Sequence, residues 1–253
     1  GDGTTAVTAL QTTLTADLSG LATTTVTAAA TATDATIAFE GNLGKAVVAI
    51  TGGNGGGNDI FNVDAATMGT ATFTVAANNT LQGSAAQLTA KAATGDGTTA
   101  VTALQTTLTA DLEGLNTTTL TAAFDGSGIF EGDLGGATVT VGNTFTMTAA
   151  AARVVGETIN QLGGGNGKLA VTLNAATDTN VNLNNINGTA INSVTVQDNL
   201  TFAGTLHETV ATTVANNITL QTTAAIATGK VIGEAGGDDA TTAVTALQTT
   251  LTA

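Results

Sequence analysis

One stretch of this chain, TTAVTALQTTLTA at residues 4–16, occurs three times without change, and this repetition limits the possible folds more than any other feature. The second copy begins at Thr98 and the third at Thr241, which gives offsets of 94 (from 4 to 98) and 143 (from 98 to 241). Around the first two copies the identity is longer, because residues 1–18 and 95–112 are the same. Repetition on this scale is typical of proteins built from stacked structural units.

The copies divide the chain into three repeat blocks, residues 1–94, residues 95–236 and the start of a third repeat at 237–253. A second similarity supports this division, since FEGNLGKAVVAI at residues 39–50 returns as FEGDLGGATVTV at residues 130–141. The first two copies continue into Asp-Leu-x-Gly-Leu, whereas the third copy ends the given sequence. We therefore expect a segment of a longer chain, with any targeting signal outside it.

Apolar residues alternate with Thr or Asn in many short segments, which is the pattern of half-buried β-strands. Clusters of Gly, Asn and Asp separate these segments and predict turns. The repeated stretch itself is ambiguous, because its leucines have helical spacing while its many β-branched threonines favour a strand followed by a turn. The clearest alternating segments lie at residues 71–75, 137–141, 169–174 and 193–196.

The repeat offsets favour a solenoid, because 94 and 143 are both near whole multiples of roughly 24 residues, a length in the range of solenoid coils. Proline is absent from the chain, and proline would remove a donor from the hydrogen bonds between coils. We predict an all-β fold, a parallel β-solenoid (β-helix) of roughly 24-residue coils. The alternative is a series of tandem β-sandwich (Ig-like) modules, for which the first offset is a natural size.

The charge of the chain argues against several classes of partner. Five Lys and Arg stand against 19 Asp and Glu, so the net charge is −14 and no basic surface is available for nucleic acid. The same charge disfavours anionic membranes, and the sequence has no apolar run long enough to predict a membrane span. We predict neither nucleic-acid binding nor membrane insertion.

We also predict that the protein is not an enzyme. The chain has no Cys, Trp or Tyr, and its one histidine, His207, has no partner for a catalytic triad or a zinc site. We expect His207 and Glu208 to lie at the surface or in a turn. A β-helical polysaccharide lyase or hydrolase would need clustered charges in a groove lined by aromatic residues, which this composition does not supply.

The motif NGGGNDIFN at residues 54–62 resembles the calcium-binding nonapeptide of RTX proteins, and this resemblance implies a calcium site. Gly55 and Gly57 would let main-chain carbonyls face an ion, and Asp59 would add a carboxylate, giving the oxygen ligands that calcium prefers. The other interpretation is a turn without an ion. The same two interpretations apply to the acidic glycine turns that begin the copies, at residues 1–3, 95–97 and 236–239.

With these features together, the chain resembles the repetitive region of bacterial RTX-type adhesins and S-layer proteins, which are exported by type I secretion. The resemblance is compositional over the full length and follows a motif only at residues 54–62, where Asn54 replaces the first glycine of the RTX nonapeptide. It implies an extracellular, cell-surface structural protein associated with calcium.

We therefore predict a non-enzymatic structural segment of a secreted repetitive bacterial surface protein: an S-layer, an adhesin stalk or a self-assembling extracellular filament. The expected partner is another copy of the chain, associated head-to-tail or laterally, because uncapped solenoid ends expose unpaired strands. The alternative is an adhesin module in which a face of Thr and Asn binds carbohydrate, such as a cell-surface polysaccharide, or another surface.

Overall fold

The computed structural model describes residues 3–8, 10, 14–21, 25–32, 36–52, 59–235 and 241–245. The protein is all-β, and its parallel strands stack as a β-solenoid of about 10 turns, which confirms the predicted fold class. The chain divides into two compact units, residues 1–123 with 133–138 and residues 124–132 with 139–253. This division lies inside the second repeat block. The boundary between the compact units therefore does not coincide with a boundary between the sequence repeats.

The described residues of the first unit form two parallel ladders that meet in one long strand. The strands are β1 (Thr4–Val7), β2 (Thr25–Ala32), β3 (Thr36–Ala38), β4 (Val47–Gly52), β5 (Asp59–Asn62), β6 (Thr72–Val75), β7 (Asn79–Ser84), β8 (Ala92–Thr102) and β9 (Leu115–Phe124). A short helix, α1 (Ala85–Leu88), and a 3₁₀ turn (Leu104–Thr106) connect them.

Strand β8 joins the two ladders. The first ladder runs β1–β2–β4–β6 and reaches β8 where Thr72 pairs with Ala92. The second runs β3–β5–β7 and reaches β8 where Thr80 pairs with Thr98. Between the two parts Gly95 has a φ of 116°, and a Cβ there would lie 2.3 Å from a main-chain oxygen of the neighbouring coil. The bend of β8 therefore requires glycine.

Columns of apolar side chains fill the interior of the first unit. Val48, Phe73 and Ala93 follow one another in register along the first ladder, and Phe61 and Leu81 do so along the second. All five are at most 2% exposed. Each large side chain buried in this way contributes about 1.5–3 kcal/mol. Alternation of inward apolar and outward polar residues thus produces the strands that the sequence predicts.

The length of chain in a coil varies. Fewer residues separate Thr80 from its partner Thr98 than separate Val47 from its partner Thr72. The predicted coil length of roughly 24 residues lies between these two lengths. Thr4, in the first repeat copy, belongs to the first ladder, whereas Thr98 belongs to the second ladder. The interpretation of the first offset as a whole number of coils is therefore wrong, because the turns between strands differ in length.

The second unit has the same parallel arrangement. Its described strands are β10 (Gly128–Phe130), β11 (Thr138–Val141, which begins in the first unit), β12 (Thr146–Ala150), β13 (Thr158–Gln161), β14 (Lys168–Leu173), β15 (Ile191–Val196), β16 (Leu200–Thr201), β17 (Thr212–Val214), β18 (Thr219–Thr223), β19 (Ile232–Glu234) and β20 (Thr241–Thr245). Apart from β11 and β13, which pair with each other, these strands form the ladders β10–β12–β14–β15–β17–β19 and β16–β18–β20.

The core of the second unit is built like that of the first, with Ala149, Val171 and Val194 stacked in register and fully buried. Two short helices, α2 (Ala151–Val154) and α3 (Ala224–Ala227), and a 3₁₀ turn (Leu183–Asn185) lie between its strands. None of the helices in the described ranges is long and apolar enough to cross a membrane.

The repeated stretch begins with a strand in all three copies. These strands are β1, the second part of β8 and β20. In the second copy the strand is followed by the 3₁₀ turn that contains Leu104, and both Leu104 and its equivalent Leu10 are buried. The prediction of a strand followed by a turn is confirmed. The next leucine of the stretch does not point inward, because Leu14 is 38% exposed and its equivalent Leu108 is half-buried.

Candidate functional site

Of the three predicted calcium ligands, the described residues include one. Gly55 and Gly57 lie outside the described residues. Asp59 is the first residue of β5, and its side chain is 2% exposed. It points inward, on the same face of the strand as Phe61. The motif therefore contributes a carboxylate to the interior of the first unit.

A second buried oxygen lies beside it. Asp59 pairs in parallel register with Asn79, the first residue of β7, so the two side chains lie on the same inner face of neighbouring coils. Asn79 is 3% exposed, and its Nδ2 donates to the main-chain oxygens of Ala76 at 3.2 Å and Ala77 at 2.9 Å. Within the described part of the chain, Asn79 Oδ1 is buried and accepts no hydrogen bond. A buried acceptor in this state costs about 1–3 kcal/mol.

The main chain of the next coil closes the other side of Asn79. A Cβ at Gly97 of β8 would lie 2.7 Å from the main-chain oxygen of Asn79 and 2.5 Å from that of Ala76. Such contacts leave no space for a side chain. Asp59 and Asn79 therefore form a closely enclosed pair of oxygen-bearing side chains beside the apolar column of Phe61 and Leu81, which we call the Asp59–Asn79 step.

Three exposed Asp residues and the half-buried Asn42 close a series of turns in the first unit. The main chain bridges Asp17 to Asn42, Asn42 to Thr67, and Asp111 to Asp133 on neighbouring coils. In four of these turns a side-chain oxygen accepts an N–H two residues on: Ser19 N to Asp17 at 2.9 Å, Gly44 N to Asn42 at 3.0 Å, Glu113 N to Asp111 at 3.1 Å and Gly135 N to Asp133 at 2.9 Å. These groups are used as turn caps.

The acidic glycine turns that begin the copies are described in part. In the second copy Asp96 is exposed and Gly97 is buried, and in the first copy Gly3 is exposed. Residues 1–2 and 236–239 lie outside the described residues. Across the described ranges, no three or more His, Asp or Glu side chains are grouped so that they could hold a metal. A cation site there would need amide or main-chain oxygens beside at most two such side chains.

His207 closes a turn of the second unit. Its Nδ1 accepts the N–H groups of Thr209 at 3.2 Å and Val210 at 3.1 Å. Partial burial and the positive charge of Lys230 lower the pKa of His207, and the Glu208 carboxylate opposes this shift. The neutral ring is therefore the form that accepts both bonds, and the prediction of a turn residue is confirmed.

The outer face of the second ladder of the first unit is a sheet of small, mostly polar side chains. Thr36, Ile60, Thr80, Thr98 and Thr119 follow one another in register on successive coils and point outward. The neighbouring outward rank includes Asn62 and Gln82, joined by an Nδ2 to Oε1 hydrogen bond of 3.3 Å. This regular face can present hydroxyl and amide groups to a surface.

An open depression on the first unit has mixed charge. Lys91 lies in it beside Asp111 and Glu113, and Lys91 Nζ donates to the main-chain oxygen of Gly69 at 2.6 Å. The depression is lined by Ala90, Lys91, Ala92, Asp111, Glu113 and Gly114. Its lysine is thus held by the neighbouring coil.

Comparison with protein-family models, with curated proteins and with solved structures gave no match. Sequence reasoning selected Asp59 through its glycine-rich motif but missed Asn79. The one signal for Asn79 was its place at the start of NTLQGSAA, a segment echoed by NITLQTTAA at residues 217–225. Only the register between coils places it beside Asp59.

Proposed function

We propose that this chain is a non-enzymatic structural segment of a secreted, repetitive bacterial surface protein, in which the solenoid provides length and stiffness. The observation that carries the proposal is the parallel pairing of strands from coil to coil around columns of buried apolar residues. Each added coil extends such a structure without a new core. The acidic, cysteine-free composition and the RTX-like motif support an extracellular location and an association with calcium.

Self-association through the repeated strand is part of this proposal. In the second copy, residues 98–101 pair with β7 on one edge and with β9 on the other. The sequence TTAV therefore accepts a parallel partner on both edges. The same sequence in another molecule can pair in the same way, by head-to-tail or lateral contact.

A second candidate function is adhesion to a carbohydrate surface such as a cell-surface polysaccharide. The outward rank from Thr36 to Thr119 favours it, because hydroxyl and amide groups at regular spacing suit a repeating polar ligand. Affinity chromatography on polysaccharides, with Thr80→Val and Thr98→Val as a paired variant, separates this function from a purely structural one.

Electron microscopy of the purified chain, with and without a calcium chelator, tests the structural proposal. We expect fibres or sheets with an axial spacing of about 4.8 Å, the distance between neighbouring strands. Dispersed single particles at every concentration and calcium level would contradict self-assembly. Loss of the fibres on chelation would connect assembly with calcium.

A further inference from the structure

The turn at residues 207–210, which we call the His207 turn, is held by a group that can change from acceptor to donor near neutral pH. It lies between β16 and β17, and His207 Nδ1 accepts the N–H groups of Thr209 at 3.2 Å and Val210 at 3.1 Å. A neutral imidazole offers one ring nitrogen as an acceptor, whereas both nitrogens of the protonated ring carry hydrogen. The protonated ring therefore cannot hold this turn.

The same turn is fastened to the preceding coil of the second unit. The Glu208 N–H donates to Asn184 Oδ1 at 3.0 Å, and Asn184 Nδ2 donates to Glu208 Oε1 at 3.4 Å. Just before the turn, the main-chain oxygen of Thr205 accepts the N–H of Leu183 at 2.9 Å. Because Glu208 follows His207 directly, a change in the His207 turn acts on this contact between coils.

We propose that the His207 turn is a pH-dependent clasp between two coils, closed when His207 is neutral and open when it is protonated. Protonation replaces an acceptor with a donor, so the N–H groups of Thr209 and Val210 lose their partner. The imidazolium also attracts the neighbouring Glu208 carboxylate, which draws Glu208 Oε1 away from Asn184 Nδ2. The proton comes from solvent and returns to it, and no covalent bond of the chain changes.

Charged groups on both sides set the pH at which the clasp opens. Partial burial and Lys230, in the turn before β19 of the following coil, hold the pKa of His207 below its ordinary value of 6.5, and Glu208 opposes them. The turn of the preceding coil, residues 182–185, has no titratable side chain. Since folding lowers this pKa, the contribution of the turn to stability is complete above the unfolded-state pKa. It is lost as the pH falls through the lower folded-state pKa.

Other turns of the protein are closed without a switch. Asp17, Asn42, Asp111 and Asp133 of the first unit each accept an N–H from the residue two positions on. An amide oxygen does not titrate, and an exposed carboxylate keeps its charge to a much lower pH than imidazole keeps its neutral form. His207 is the one histidine of the chain, so the His207 turn is the one turn that a histidine holds.

The test is a pH titration of the full chain from about pH 8 to about pH 4.5, followed by NMR of the amide groups and of the His207 ring. We expect the main-chain amides of Thr209 and Val210 and the side-chain amide of Asn184 to change with the midpoint of the ring, below 6.5. Hydrogen exchange, corrected for its intrinsic pH dependence, should show at least about tenfold less protection of the Val210 amide below that midpoint than above it. Amides that do not follow the ring would overturn the proposal, and this measurement needs no variant.

His207→Asn is the matched control. Its amide oxygen can accept main-chain N–H groups, as that of Asn42 does from Gly44, and it has no proton to gain. The amides that follow the ring in the wild type should show no transition in this variant. In His207→Ala, which has no acceptor, they should resemble the open state at every pH. A transition that persists in His207→Asn would contradict a switch at His207.

Two charge variants test the contact with the preceding coil. Glu208→Gln keeps an oxygen toward Asn184 but loses the charge, so we expect a lower midpoint for His207 and no transition at the Asn184 side chain. Lys230→Gln should instead raise the midpoint. An Asn184 transition that is unchanged in Glu208→Gln would refute the part of the carboxylate in opening the clasp.

Discussion

The first two repeat copies are identical over residues 1–18 and 95–112, and where both are described they adopt the same local structure on different ladders of the first unit. Thr4 pairs with Thr25 of the next coil, and Thr98 pairs with Thr119, so the partner lies equally far along the chain in both copies. The following residues keep this register in each copy. The repeated sequence therefore specifies a strand and its pairing to the next coil, but it does not specify which ladder the strand joins.

The surroundings of the two copies differ more than their conformation. Within the described residues β1 pairs along one edge, with β2, whereas the equivalent part of β8 lies between β7 and β9. Accordingly Val7 is half-buried and Val101 is 2% exposed. The same sequence thus contributes different amounts of stability in its two positions, because burial depends on the neighbouring coils.

A pair of equivalent glycines gives the largest expected difference. A Cβ at Gly97 would lie 2.5 Å from the main-chain oxygen of Ala76, whereas a Cβ at Gly3 would meet nothing within 4 Å. We expect Gly97→Ala to lower the free energy of unfolding by about 3 kcal/mol, since main chain must move, and Gly3→Ala to change it by less than about 0.5 kcal/mol. Urea unfolding followed by far-UV circular dichroism measures both.

A second glycine pair checks this explanation. Gly114 and Gly20 are equivalent in sequence, and a Cβ at Gly114 would lie 2.3 Å from the oxygen of Lys91, whereas Gly20 has open space. The alanine variants should therefore show the same order. Equal losses of stability within either pair would mean that the surroundings of the two copies are more alike than the structure shows.

The valines of the two copies give a smaller difference. Val101→Ala removes two buried methyl groups from an inward position, and we expect it to cost about 2 kcal/mol. Val7→Ala should cost less than about half of this, because Val7 keeps contact with solvent. The same urea experiment measures the two values. A larger loss for Val7→Ala would contradict the difference in burial.

Much of the fold was predictable because it depends on local patterns. The alternation of apolar residues with Thr or Asn, together with the absence of proline, indicated parallel stacked strands. Which ladder each repeat copy joins was not predictable. It depends on the summed lengths of the chain segments between paired residues, such as Val47 and Thr72 or Thr80 and Thr98. No local pattern encodes that sum.

Only part of the candidate site was predictable from the sequence. Asp59 follows a glycine-rich turn and could be selected by its motif, whereas Asn79 belongs to a segment that resembles many other alternating strands. Its side-chain oxygen is buried and has no hydrogen-bond partner among the described residues. This follows from the pairing of β5 with β7, which are not consecutive in the chain, and from the turn that holds its Nδ2. Such a feature appears only when the coils are placed in register.

The smallest expected difference between the copies lies where their sequences first diverge, at Ser19 and Glu113. The Ser19 hydroxyl donates to Asp17 Oδ1 at 2.6 Å and its N–H donates to the same oxygen at 2.9 Å, and these two bonds hold the pKa of Asp17 below its ordinary value of 3.8. Folding therefore lowers this pKa. Asp17 stabilises the folded state above the unfolded-state pKa, and the contribution is lost as the pH falls through the lower folded-state pKa.

Ser19→Glu gives the first copy the turn sequence of the second and tests this account. The variant loses the hydroxyl donor and gains a negative charge, and both changes raise the pKa of Asp17 toward its ordinary value. Ser19→Ala, which removes the donor without adding charge, separates the two causes and should shift the pKa in the same direction by less. Carboxyl ¹³C shifts followed by NMR from about pH 6 to about pH 2 measure the pKa of Asp17 in each protein. If the pKa stays the same in both variants, the Ser19 hydroxyl does not hold the turn, and the two copies differ there in sequence only.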